Sequence, residues 1–180
     1  WAICVADVAG HGPISGIAAL RIKHTVSLVL GLGGTPVQVM RRIADAFEDE
    51  QSLFATAFLL VLDPEKSKAM WVNAGHIPAL FVNANGRQRT LDPTGPLLST
   101  LGGQWHAEEV EFSSGDSLLI STDGVIETKD YRGELLGEEG IAAIAANVHT
   151  SESIHEFVSQ VVAHARDRAV DWGRDDATVV

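Results

Sequence analysis

Ile3-Cys4-Val5-Ala6-Asp7-Val8-Ala9-Gly10-His11-Gly12 is the stretch from which the fold of this chain can be read. An apolar run closing on one carboxylate reads as a buried strand that ends at Asp7. Glycines then loosen a loop, and the apolar residues from Pro13 onward read as a helix. Two later stretches repeat the pattern. Ser117-Leu118-Leu119-Ile120-Ser121-Thr122-Asp123-Gly124 is an apolar strand closing on Asp123, and Arg174-Asp175-Asp176-Ala177-Thr178-Val179-Val180 sets two aspartates at the mouth of a third. Each alone has a plainer reading as a helix cap, a turn or a solvated loop. Together, acidic strand ends far apart in sequence are how a chain gathers carboxylates around divalent cations, because Mg²⁺ and Mn²⁺ take oxygen ligands. The expectation is that Asp7, Asp123 and Asp175 converge on a site for two cations about 3.5–4 Å apart, sharing a carboxylate and activating a water.

With 180 residues, 46% of them hydrophobic and 21% charged, the chain suits one globular domain with a sizeable core. The formal charge of −11 disfavours nucleic acid and anionic membranes as partners, since both would repel it. The single cysteine, Cys4, lies in an apolar strand, reads as core packing and is compatible with a reducing, cytoplasmic setting. No apolar run is seen to reach the ~18–20 residues of a membrane helix. Trp1 and Val180 each read as lying inside a strand, so the chain is expected to be trimmed at both ends.

Residues 13–32 read as a helix buried around much of its circumference and ended by Gly33-Gly34. Thr35-Pro36 opens an amphipathic helix with Val37, Met40, Ile43, Ala44 and Phe47 on its apolar face and Gln38, Arg41, Arg42, Asp45 and Glu48 on the other. Residues 54–62 and 69–72 read as strands, and residues 78–83 and 88–91 as a hairpin across Asn85-Gly86. An irregular loop at 92–96 precedes a half-exposed strand at 105–112. Helices return over residues 138–148 and behind Ser153, which forms a capping box with Glu156. The order predicts an α+β fold, an α/β/β/α four-layer sandwich of two packed, mainly antiparallel sheets flanked by helices, in a single domain over residues 1–180. The glycines around His11 fit neither the dinucleotide fingerprint nor a phosphate-binding P-loop.

These residues resemble the catalytic domain of the metal-dependent (PPM-type) protein serine/threonine phosphatases, in the SpoIIE-like branch that regulates sigma factors. The likeness is carried along the chain by Ala6-Asp7-Val8-Ala9-Gly10-His11-Gly12, Phe54-Ala55-Thr56-Ala57-Phe58, Val72-Asn73-Ala74-Gly75-His76-Ile77-Pro78, Ser121-Thr122-Asp123-Gly124-Val125-Ile126-Glu127, Gly133-Glu134-Leu135-Leu136-Gly137 and the final seven residues. It implies that Asp7 bridges two Mn²⁺ or Mg²⁺ ions, that the Val8 carbonyl binds one of them, and that Asp123 and Asp175 complete the other. Asp176 and Gly124 would stand behind these ligands.

The implied reaction is hydrolysis of phosphoserine or phosphothreonine, and the implied partners are a phosphorylated STAS-type anti-anti-sigma protein and an upstream sensory or dimerising domain. The sequence departs from eukaryotic members at Ala9, where they carry a histidine proposed as general acid. His11, two positions on, is the candidate for that role here. His76 replaces an aspartate that binds a third metal in some relatives, and Asn73-Ala74-Gly75-His76 reads as a structural turn. A degenerate phosphatase fold used for binding, and a two-metal phosphodiesterase, are the alternative readings.

Overall fold

The computed structural model describes residues 1–47, 53–149, 153–173 and 176–180. In chain order the elements are β1 (Ala2–Val8), α1 (Pro13–Gly31), α2 (Pro36–Asp45), β2 (Phe54–Asp63), β3 (Lys68–Ala74), β4 (Ala79–Val82), β5 (Gln88–Leu91), β6 (Leu98–Ser99), β7 (Glu108–Glu111), β8 (Ser117–Leu119), α3 (Asp123–Ile126), α4 (Gly137–Val148) and α5 (Ile154–Arg168). They form two compact units, Trp1–His76 with Asp92–Phe112, and Ile77–Leu91 with Ser113–Val180. Two antiparallel sheets with helices are the architecture the element order predicts.

In the first unit the sheet runs β1-β2-β3-β7, with β6 paired to the start of β2. Side chains alternate between the faces of a strand, so the register sorts them. Cys4, Ala6 and Val8 lie opposite Leu59, Ala57 and Ala55, and with Val72 and Ala74 they join a core completed by Ala18 and Ile22 of α1 and Val39, Met40 and Ile43 of α2. Small residues at 55, 57 and 74 let helices approach a sheet closely, which offsets the small apolar area each one buries. The other face carries Val5, Asp7, Thr56, Phe58, Leu60, Trp71 and Asn73. The Phe58 and Trp71 rings stack there with centroids 6.0 Å apart.

The amphipathic helix forms as its pattern predicts. Thr35 Oγ1 accepts the Gln38 amide at 3.3 Å while Gln38 Oε1 accepts the Thr35 amide at 2.8 Å, a reciprocal cap. Met40, Ile43, Ala44 and Phe47 of the expected face are buried, Val39 joins them, and Val37 is only half-buried. Glu48 lies outside the described residues.

The preceding helix corrects the sequence reading. Only Ala18 and Ile22 of α1 are buried, and Ile14, Ile17, Leu20 and Leu28 are all more than half exposed. Composition that is apolar all round suggests burial on all sides, but one stripe alone meets the sheet. By length and composition the 19 residues of α1 are also long and apolar enough to cross a membrane. Arg21 and Lys23 break the apolar run, so the sequence carries no unbroken apolar stretch of that length here.

The second unit holds the sheet β5-β4-β8. The hairpin forms across Asn85-Gly86, where Gly86 takes φ 77° and the Asn83 amide donates to the Arg87 carbonyl. Leu80, Val82 and Leu119 pack with Val125, Ile141, Ala145, Val148, Phe157, Val161 and Ala165 of the helices. Ser153 Oγ accepts the Glu156 amide at 3.2 Å and caps α5.

Two further readings change. The strand expected over residues 105–112 is confined to β7, because the Trp105 indole turns away to donate to the Pro96 carbonyl at 2.7 Å. A Cβ on Gly95 would stand 2.4 Å from that ring, so the loop accommodates it only with glycine. At the C-terminus, Val179 makes an isolated bridge to Ser121 in place of a full strand.

Candidate functional site

Asp7 is the sixth residue of β1, exposed, and directly opposite Thr56 of β2. The chain leaves the strand at once. The Ala9 amide donates to the Phe54 carbonyl at 3.0 Å, and the Ser15 hydroxyl donates back to the Ala9 carbonyl at 3.2 Å. Between them Gly10 and Gly12 take φ 85° and 91°, a region costly for any residue with a Cβ. His11 is carried exposed on this glycine turn, and α1 begins at Pro13. Val8 is half-buried against the core on the helix side of the sheet. The turn thus presents one carboxylate, the backbone that follows it and one imidazole.

In the second unit β8 stops at Leu119, and Asp123 is the first residue of the one-turn helix α3, not the end of a strand. The Thr122 hydroxyl explains the change. It donates to the Asp176 carbonyl at 2.9 Å and accepts the Thr178 amide at 2.9 Å, so it binds the C-terminal segment in place of a strand partner. Asp123 Oδ1 accepts the Gly124 amide at 2.8 Å, which fixes the rotamer of the carboxylate. A Cβ on Gly124 would stand 2.5 Å from the Asp176 carbonyl oxygen, so glycine is needed for the two backbones to meet. Asp176 is exposed. Asp175 lies outside the described residues.

Of the residues expected to form the site, the structure brings together Asp123, Gly124 and Asp176 within one unit, and Asp7, Val8 and His11 within the other. Among the described residues no group of three or more metal-ligating side chains is gathered at one place. Asp7 in the first unit and Asp123 in the second each offer carboxylate oxygens, the donor type that a hard cation takes. Cys4, three residues before Asp7 on β1, is no competitor, since burial pushes its thiol up to about 11 and keeps it protonated.

Two residues acquire a place here that the sequence reading did not give them. His76 is buried, and its Nδ1 lies 2.8 Å from Thr56 Oγ1. The signal was a threonine in the apolar run of β2, flanked by Ala55 and Ala57. The Asn73-Ala74-Gly75-His76 segment is a turn, as expected, with the His76 amide donating to Asn73 Oδ1 at 2.7 Å.

The model of the family described as Stage II sporulation protein E (SpoIIE) matches residues 1–180. The phosphoserine phosphatase RsbP of Bacillus subtilis is 28% identical over 134 residues, covering 71% of this chain and 33% of RsbP. The chain thus spans about a third of that relative's length. The SiaA-PP2C domain of Pseudomonas aeruginosa superposes with a TM-score of 0.83 at 18% identity, covering 99% of this chain and 73% of that domain. The catalytic domain of the serine threonine protein phosphatase PstP, in complex with 2 manganese ions, has a TM-score of 0.72 at 13% identity over 99% of this chain and 85% of its own. These likenesses show a shared fold.

Proposed function

The chain belongs to the SpoIIE family, and from that membership we propose that residues 1–180 are one catalytic domain of a metal-dependent protein serine/threonine phosphatase. The observation that carries the reading is the family match from the first residue to the last, which takes in all three aspartates. The phosphoserine phosphatase name of RsbP and the manganese ions of PstP support it. Asp7, Asp123 and Asp175, with the Val8 carbonyl, would hold two Mn²⁺ or Mg²⁺ ions. When bound, the ions supply positive charge to the phosphoryl oxygens and acidify water.

The reaction this supports is hydrolysis of a phosphoserine or phosphothreonine monoester. A water oxygen bonds to phosphorus as the bond to the side-chain oxygen breaks, and that oxygen leaves with a proton as the free hydroxyl. His11, exposed on the glycine turn after Asp7, is the group we assign to deliver that proton from a ring nitrogen. The Thr122–Asp176 bond and the Gly124–Asp176 approach hold the backbone next to Asp175. The substrate we infer is a phosphorylated STAS-type anti-anti-sigma protein, as the family resemblance implies. A charge of −11 supplies no attraction for a polyanion, which disfavours the phosphodiesterase alternative.

The test is phosphate release from a phosphoserine protein, with and without Mn²⁺, by the wild type and Asp175→Asn. Turnover should need the metal and fall at least ~10²-fold in the variant. Equal turnover by the variant, or turnover in chelator, refutes the assignment.

A further inference from the structure

We infer that His76 is a positioning residue for the Asp7 carboxylate, acting through the hydroxyl of Thr56. The inference rests on the proposed role of Asp7 as a metal ligand and adds the residues that aim it.

Asp7 and Thr56 are directly paired across β1 and β2, so their side chains leave the same face of the sheet, with Cβ atoms about 4.5–5.5 Å apart by the geometry of such pairs. His76 stands on the far side of Thr56, its Nδ1 2.8 Å from the hydroxyl. Carboxylate, hydroxyl and imidazole therefore follow one another across the sheet.

The backbone that carries the ring is held by a set of buried polar groups. The His76 amide donates to Asn73 Oδ1 at 2.7 Å, the Asn73 amide donates to Thr94 Oγ1 at 3.0 Å, and the Thr94 amide donates to the Asn73 carbonyl at 2.8 Å. Asn73, His76 and Thr94 are each at most 3% exposed. Gly75 makes the turn at φ 65°, where a Cβ would stand 2.9 Å from the Leu97 backbone nitrogen. Fold stability alone gives little reason for these choices. A strand with Ala55, Ala57 and Phe58 as neighbours would accept valine at 56, and burying an imidazole and an amide costs free energy unless each finds partners.

The hydrogen-bond chemistry gives the reason. With Nδ1–H donating to Thr56 Oγ1, the threonine keeps its own hydrogen to offer to the carboxylate beside it. A carboxylate so directed holds one orientation and turns its remaining lone pairs to a cation. Groups behind a metal ligand are typically worth about 10–100-fold in metal affinity.

Titration calorimetry with Mn²⁺ as the probe decides the matter, on the wild type and on Asp7→Asn, Thr56→Val, Thr56→Ser, His76→Ala and the Thr56→Val/His76→Ala double variant. Thr56→Val and His76→Ala should each weaken Mn²⁺ binding about tenfold. The double variant should lose about as much as either alone, and Thr56→Ser should stay close to the wild type. Unchanged Mn²⁺ affinity in Thr56→Val, or losses that simply add in the double variant, would overturn the inference. A purely structural role would lower the melting temperature of His76→Ala and leave the Thr56→Val dissociation constant untouched. If His76→Ala does not fold, the Thr56→Val and Thr56→Ser pair carries the test. Asp7→Asn separates the two levels: unchanged Mn²⁺ binding there defeats the metal reading itself, whereas loss there with Thr56→Val unaffected defeats only the role of His76.

Discussion

Replacing Gly124 by alanine tests the architecture around Asp123 more sharply than removing the carboxylate. The added methyl would lie 2.5 Å from the Asp176 carbonyl oxygen and 2.8 Å from its carbon, whereas ordinary contact begins at 3.4 Å. Either the 176–177 backbone or α3 must withdraw by most of an ångström. The obstacle is main chain, so no side-chain rotation relieves it. The Thr122 hydroxyl bond to the same carbonyl is 2.9 Å long, and such a withdrawal takes it past useful length. Overpacking of this kind costs about 1–3 kcal/mol and the lost hydrogen bond about 1 kcal/mol. Alanine regains up to about 1 kcal/mol of helix propensity, less in a helix of one turn. The net expectation is a loss of about 2 kcal/mol, or roughly 4–8 °C in melting temperature for a chain of this size. Urea unfolding followed by circular dichroism measures the first, and Mn²⁺-dependent phosphate release measures whether the backbone beside Asp175 has moved. We expect both to suffer. A variant with wild-type midpoint and wild-type metal dependence would refute the claim that Asp123 and the C-terminal segment are locked together by close backbone approach.

Two other predictions complete the set. His11→Gln should lower kcat by about 10²-fold with little change in KM, the scale of losing a general acid, and an unchanged kcat returns His11 to loop packing. Cys4 carries a thiol pushed up to about 11 by burial, while the unfolded thiol titrates near 9.0. The folded state therefore keeps a proton that the unfolded state releases, so stability is full below about pH 9 and falls as pH rises toward 11. Chemical unfolding of wild type and Cys4→Ala across that window should show a steeper fall in the first, and parallel curves would contradict it.

Much of this protein was legible in one dimension because the determinants are local. The cap at Thr35, the serine cap of α5 and the Asn85-Gly86 hairpin are set by residues a few positions apart, and each forms where the sequence places it. The exit of the chain after Asp7 was legible for the same reason, since Gly10 and Gly12 announce a turn that other residues resist. The exposure of α1 was not. Its composition is apolar on every side, and which stripe is covered depends on a partner surface that no periodicity names.

Spacing along the chain was enough for most of the strands and helices, for their order and for Asp7 near the end of the first strand, because backbone propensity, caps and turn chemistry act over a few residues. Tertiary structure alone decided that Thr56 meets His76 across 20 residues and that Gly124 lies against Asp176 across 52, contacts of hydrogen-bond and van der Waals range. Forces that act over a few ångströms in space leave no trace in spacing along the chain until the fold has closed the distance.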